Sequence, residues 1–129
     1  MKYSRFEELP VWQDAIELAV RVYRFTAHDA FKGRYSLKDQ LERATVSISN
    51  NVAEGFERGT TQETLTFLYI ARGSAGETRS VVCLCERLEG LTISDLRSQI
   101  SNQGPRVFRD NCDAGAGHFR TPTSEVSGI

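Results

Sequence analysis

The run from Gln40 to Gly59, QLERATVSISNNVAEGFERG, constrains this chain most. Leu41, Ala44, Ile48 and Val52 recur in steps of three and four, which places them on one face of a helix. Among them stand Ser47, Ser49, Asn50 and Asn51, whose short polar side chains compete with the helical backbone for hydrogen bonds. A helix with so many small polar groups beside an apolar stripe points to close packing or buried hydrogen bonds. The alternative, a polar pocket lined by these serines and asparagines, is the sharper but less economical reading.

The flanking segments carry the same period. Pro10 suits the first turn of a helix, where its missing N–H costs nothing. Behind it Trp12, Ala15, Ile16, Ala19, Val22 and Tyr23 form an apolar stripe, so a first helix is expected over residues 10–27. Ser36-Leu37-Lys38-Asp39 resembles a capping box and predicts the start of a second helix, which runs to about Phe56. Thr60 and Glu63 form a better box and open a third helix over residues 61–90. Its stripe is Leu65, Leu68, Ala71, Ala75, Val82, Cys85 and Leu88. Gly73 and Gly76 interrupt it; each costs about 1 kcal/mol against Ala inside a helix, so the pair predicts a close approach by another helix or a kink. Thr92 to Asp95 can cap a fourth helix, but Gly104-Pro105 breaks it. The expected division is a helical bundle domain over 1–102 and an irregular tail over 103–129. Short connections between long amphipathic helices favour antiparallel neighbours, so the predicted fold is all-α, an antiparallel up-down four-helix bundle with a short or atypical fourth helix.

Composition narrows the function classes. The 16 basic and 17 acidic residues leave a formal net charge of −1, so no global basic field draws the chain toward nucleic acid or anionic lipid. No window has the length and apolarity of a membrane span, and the N-terminus lacks an apolar signal core. Cys83, Cys85 and Cys112 are odd in number, which fits reduced thiols and a cytoplasmic location. Cys83 and Cys85 lie two apart on a helix and point to different sides, so no zinc site is expected.

Three ordered blocks within residues 6–91 carry a family resemblance. Phe6, Leu9, Val11-Trp12-Gln13 and Ala15 form the first. Gln40 to Ala44, Val46-Ser47-Ile48 and Asn51 to Gly55 form the second. Phe67 to Ser74, with Glu77, forms the third. Together they resemble the 23S rRNA intervening-sequence family, some of whose members are encoded within inserts in large-subunit ribosomal RNA genes. The resemblance implies a four-helix bundle, a homopentameric assembly and no established activity. A related branch serves diversity-generating retroelements as an accessory that binds the reverse transcriptase and nucleic acid. The residues taken as structural signature are Trp12, Gln13, Asn51, Glu54, Gly55, Arg72 and Gly73. Two departures stand out. Ser49 occupies a position where the family often has Pro, which predicts a straighter second helix. The segment after residue 103 lacks the period of a full fourth helix; Val107, Phe108 and Phe119 remain there without it, as after a shift of reading frame.

Candidate chemistry is sparse. Glu54 and Glu57 can be read as an acid pair, but a structural role for Glu54, with Arg72 as ion-pair partner, is the simpler expectation. His28 and His118 have no Ser, Cys or carboxylate at triad or metal-ligand spacing and read as solvated. Trp12 and Tyr23 fit the core better than a platform for bases. Lys32, Arg34, Lys38 and Arg43 gather near the connector between the first two helices and are the best candidates for phosphate contact, although Asp29, Asp39 and Glu42 dilute them. No catalytic residue and no cofactor is expected. The chain reads as a non-enzymatic, homo-oligomeric scaffold or interaction protein, with a nucleic-acid-binding accessory acting with RNA or a reverse transcriptase as the alternative.

Overall fold

The computed structural model describes residues 2–88, and every regular element among them is helical. Three long helices dominate: α1 over Pro10–Thr26, α2 over Tyr35–Glu57 and α3 over Thr61–Arg87. Short 3-10 turns precede α1 at Phe6–Glu8 and α2 at Asp29–Phe31. The expected fourth helix, the tail over 103–129, Cys112 and His118 lie outside the described residues.

Local chemistry explains where the helices begin. Pro10 occupies the first turn of α1 as expected. Thr60 caps α3: its Oγ1 accepts from the Glu63 N–H at 3.3 Å and donates to Glu63 Oε2 at 2.6 Å. The box expected at Ser36 does not form. Helix α2 already begins at Tyr35, with Arg34 as an N-cap that makes no side-chain capping bond. Gly33 is the cause: at φ +79° it turns the chain in a conformation that favours glycine, and the helix starts before Ser36 is reached. His28 caps the preceding turn instead, its Nδ1 accepting from the Ala30 N–H at 3.3 Å.

Two buried clusters join all three helices. Val22, Phe31, Leu41, Val81 and Cys85 form one near the α1–α2 connector. Ala15, Ile48, Val52 and Ala71 form the other toward the α2–α3 turn. Residue numbers fall along α2 as they rise along α1 and α3, so α2 runs antiparallel to both. The α2 stripe of Leu41, Ala44, Ile48 and Val52 is buried throughout, as its period predicts. Helix α2 is also continuous through Ser49, whose hydroxyl donates to the Val46 carbonyl at 3.0 Å.

The α3 stripe is rotated from its expected position. Its buried residues are Ala71, Ser74, Thr78, Val81 and Cys85, and Leu65 and Leu68 are exposed. The expected period follows apolar residues, whereas the face that meets α2 is partly made of Ser and Thr. Small polar side chains permit the closer approach, so they occupy the interface in place of leucine.

Candidate functional site

Two signature residues, Gly55 and Asn51, take part in a seam between α2 and α3. At one end Gly55 is buried, and a methyl group placed on it would lie 2.7 Å from Phe67 Cβ and 3.2 Å from the Thr64 carbonyl oxygen. Only glycine fits there. Thr64 Oγ1 lies 2.8 Å from the Gly55 carbonyl and 2.9 Å from the Thr60 carbonyl, and donates its one proton between them. Two turns back along α2, Ser47 Oγ and Ser74 Oγ are 2.9 Å apart. Asn51 Nδ2 supports this link by donating to the Ser47 carbonyl at 2.7 Å and to Ser47 Oγ at 3.0 Å. Farther on, Thr45 and Thr78 are both buried. Their hydroxyls donate to the Leu41 and Ser74 carbonyls on their own helices, at 2.7 and 2.9 Å. Both protons are therefore committed, and the 3.5 Å Thr45–Thr78 approach is a polar contact rather than a strong hydrogen bond.

Other signature residues stabilise the ends. Trp12 is half-buried, meets the Phe6 ring edge-on at 5.3 Å and packs against the second cluster. Gln13 Nε2 donates to the Glu7 carbonyl at 2.9 Å and ties down the N-terminal turn. The expected Glu54–Arg72 pair does not form. Glu54 Oε1 instead accepts at 2.6 Å from Arg58, the C-cap residue of α2 four places on, and the Arg58 guanidinium stacks 5.0 Å from the Phe67 ring centroid. Arg72 is exposed on α3. A partner one turn away on the same helix needs no alignment between helices, so it wins.

The close approach expected at Gly73 and Gly76 is also displaced. A methyl group on either would meet nothing within 4 Å, and both are exposed. Of the segment Gly73 to Gly76, Ser74 reaches the seam and Ala75 packs beside the second cluster. Gly55 is the glycine that lets the helices meet. Its position three residues after Val52, on the buried stripe, was the available signal.

The candidate phosphate ligands are spread along the connector and α2. Lys32 Nζ pairs with Asp29 at 3.4 Å, and Lys38 Nζ with Glu42 at 3.9 Å. Glu42 also accepts from Thr26 Oγ1 at 2.6 Å, which joins α2 to the end of α1. Arg34 is half-buried at the start of α2. Arg43 lines an open groove of about 460 Å³ with Tyr23, Asp39, Glu42, Val46, Ser47 and Asn50. Tyr23, expected in the core, is half-exposed there. Ser47 and Asn50 do line a polar surface, and Ser47 serves the seam as well. The groove offers two carboxylates and one guanidinium, with no cysteine or histidine to complete a nucleophile–base pair. Among the described residues no group of three or more His, Cys, Asp or Glu can hold a metal ion, and no helix is long and apolar enough to cross a membrane. Burial pushes the Cys85 thiol above its ordinary range, which keeps it protonated and unreactive.

Comparison with known proteins agrees with the signature. The family model described as 23S rRNA-intervening sequence protein matches residues 7–103. No curated protein and no solved structure matches the chain.

Proposed function

The chain belongs to the 23S rRNA-intervening sequence protein family, and we propose that it acts as a self-associating helical scaffold with no catalytic activity of its own. The observation that carries this reading is the apolar outer surface of α3. Leu65, Leu68, Tyr69, Ile70 and Leu84 are between 36% and 68% exposed, and they make up five of the nine large exposed hydrophobic residues in the described part of the chain. Concentration of such residues on one helix marks an interaction surface. The opposite pole of function, chemistry in a cleft, draws little support from an open groove whose two carboxylates, Asp39 and Glu42, are joined by no histidine or cysteine. The assembly is proposed to be a homo-oligomer, with five copies as the number that the family resemblance implies.

Size-exclusion chromatography with light scattering tests the proposal. A mass of several chains at micromolar concentration is the expected result, and a single-chain mass overturns it. Nucleic-acid binding is the weaker proposal, because Lys32 and Lys38 already have acidic partners. It predicts a salt-sensitive RNA or DNA mobility shift that weakens when Lys32, Arg34 and Lys38 are neutralised. No shift at low salt removes it.

A further inference from the structure

We infer that self-association runs through two unlike faces: the Arg72 guanidinium of one copy enters the groove beside Tyr23 of the next. This deepens the proposed self-association and rests on it. Among the described residues Arg72 has no ion-pair partner, because Glu54 is held by Arg58. The residues three and four places from it on α3 are Leu68, Tyr69, Ala75 and Gly76, none of them charged. Leu65, Leu68 and Tyr69 stand seven, four and three places before Arg72, on its side of the helix, and all three are exposed. Arg72 is therefore a charge set in an apolar surface, the combination that anchors protein–protein contacts. Arg79 lies on the same side, but Ala75 and Gly76 precede it and supply no such surface.

The groove offers the matching chemistry. Asp39 and Glu42 bring two carboxylates and Arg43 one guanidinium, which leaves the lining with one net negative charge. Asp39 is exposed and forms no ion pair among the described residues, and Thr26 and Lys38 both meet Glu42 at Oε1. The half-exposed Tyr23 ring gives a face on which a guanidinium plane can stack. Val46, with exposed Val20 one turn before Tyr23, gives an apolar border for Leu68 and Tyr69 of the incoming helix. A guanidinium alone among cationic side chains has both a fork of donors for carboxylates and a flat face for a ring. The two surfaces also face different ways. Ser74 meets α2 through Ser47, and Arg72 leaves α3 about 200° around the helix from Ser74. Arg72 thus points away from α2, whereas the groove is built on α2 and Tyr23 of α1. One copy cannot fill its own groove, so the occupant is Arg72 of a second copy. A contact between unlike faces repeats from copy to copy and closes as a ring. Five copies can share it, whereas a contact that pairs like faces leaves one of an odd number unmatched.

Two variants and their mixture test the contact. Arg72→Ala removes the guanidinium, and Asp39→Arg sets a like charge in the groove. Each should weaken association about tenfold in a light-scattering dilution series. At the highest concentration where each variant alone is a single chain, an equimolar mixture should move toward a mass of two chains. In that mixture the Asp39→Arg copy supplies an intact Arg72 and the Arg72→Ala copy an intact groove, and no second contact can form. Association through like faces gives no such rescue. Circular dichroism checks that each variant keeps its helix content, and Asp39→Asn replaces Asp39→Arg if the charge reversal costs helix. An assembly that ignores both substitutions, or a mixture that stays at one chain, overturns this contact and leaves self-association standing. A single-chain mass for the unaltered protein overturns both.

Discussion

Gly55→Ala should destabilise the protein by a net of about 2 kcal/mol. The added carbon would start 2.7 Å from Phe67 Cβ and 3.2 Å from the Thr64 carbonyl oxygen. Neither atom can rotate away: one is the first carbon of its side chain and the other is backbone. Carbon atoms rest about 3.5–4.0 Å apart, so α2 and α3 must separate by most of an ångström at this end. Overpacking costs about 1–3 kcal/mol, and the lack of a side-chain escape places this site at the upper end. Replacing glycine inside a helix returns about 1 kcal/mol. Separation also stretches the 2.8 Å approach of Thr64 Oγ1 to the Gly55 carbonyl and loads the Ser47–Ser74 link farther along. Urea unfolding followed by helical circular dichroism reads the loss, at one fixed protein concentration because association shifts apparent stability. Gly73→Ala is the matched control. Its methyl group meets nothing within 4 Å in the protomer, so this substitution should gain about 1 kcal/mol from helix propensity alone. A Gly55→Ala protein as stable as the unaltered one would show that the seam yields freely, and the argument for a rigid close approach would fail.

Thr60→Ala should cost about 1 kcal/mol, since it leaves the Glu63 N–H without its capping oxygen; an unchanged urea midpoint would mean the cap contributes nothing. In a Cys112→Ser background, a thiol reagent at mildly alkaline pH should label exposed Cys83 before Cys85, which should react only as the protein unfolds. The sign of the linked pH effect follows from the raised Cys85 thiol. Its contribution to stability is complete below the unfolded thiol pKa of about 8.5 and is lost as pH rises from there through the folded value. The alkaline fall in stability should therefore be shallower in Cys85→Ala, and equal slopes would contradict the assignment.

Periodicity made α1 and α2 legible because their buried faces are apolar. Leu41, Ala44, Ile48 and Val52 announce the inner side of α2 without any partner in view. Turn chemistry located the start of α3 through Thr60 and Glu63, a bond pattern closed within four residues. Hydropathy places the inner face of α3 on the wrong side because it cannot distinguish a Ser or Thr that faces water from one that meets another helix. Ser74 and Thr78 are buried, while Leu65 and Leu68 are exposed. The start of α2 departs from its local signal for a related reason: the Ser36 box is plausible locally, but the turn at Gly33 lets the helix begin sooner.

The same boundary runs through the candidate site. Sequence by itself determined helix number within the described residues, the antiparallel order implied by the short α2–α3 link, and the residues of the family signature. Those depend on interactions within a turn or two of chain. Only the tertiary structure decided that Gly55 rather than Gly73 makes the close approach, that Glu54 pairs with Arg58 rather than Arg72, and that the leucines at the start of α3 face outward. Each of these depends on the distance and rotation between two helices. Interhelical geometry follows from many side chains packing at once, and no single residue or spacing encodes it.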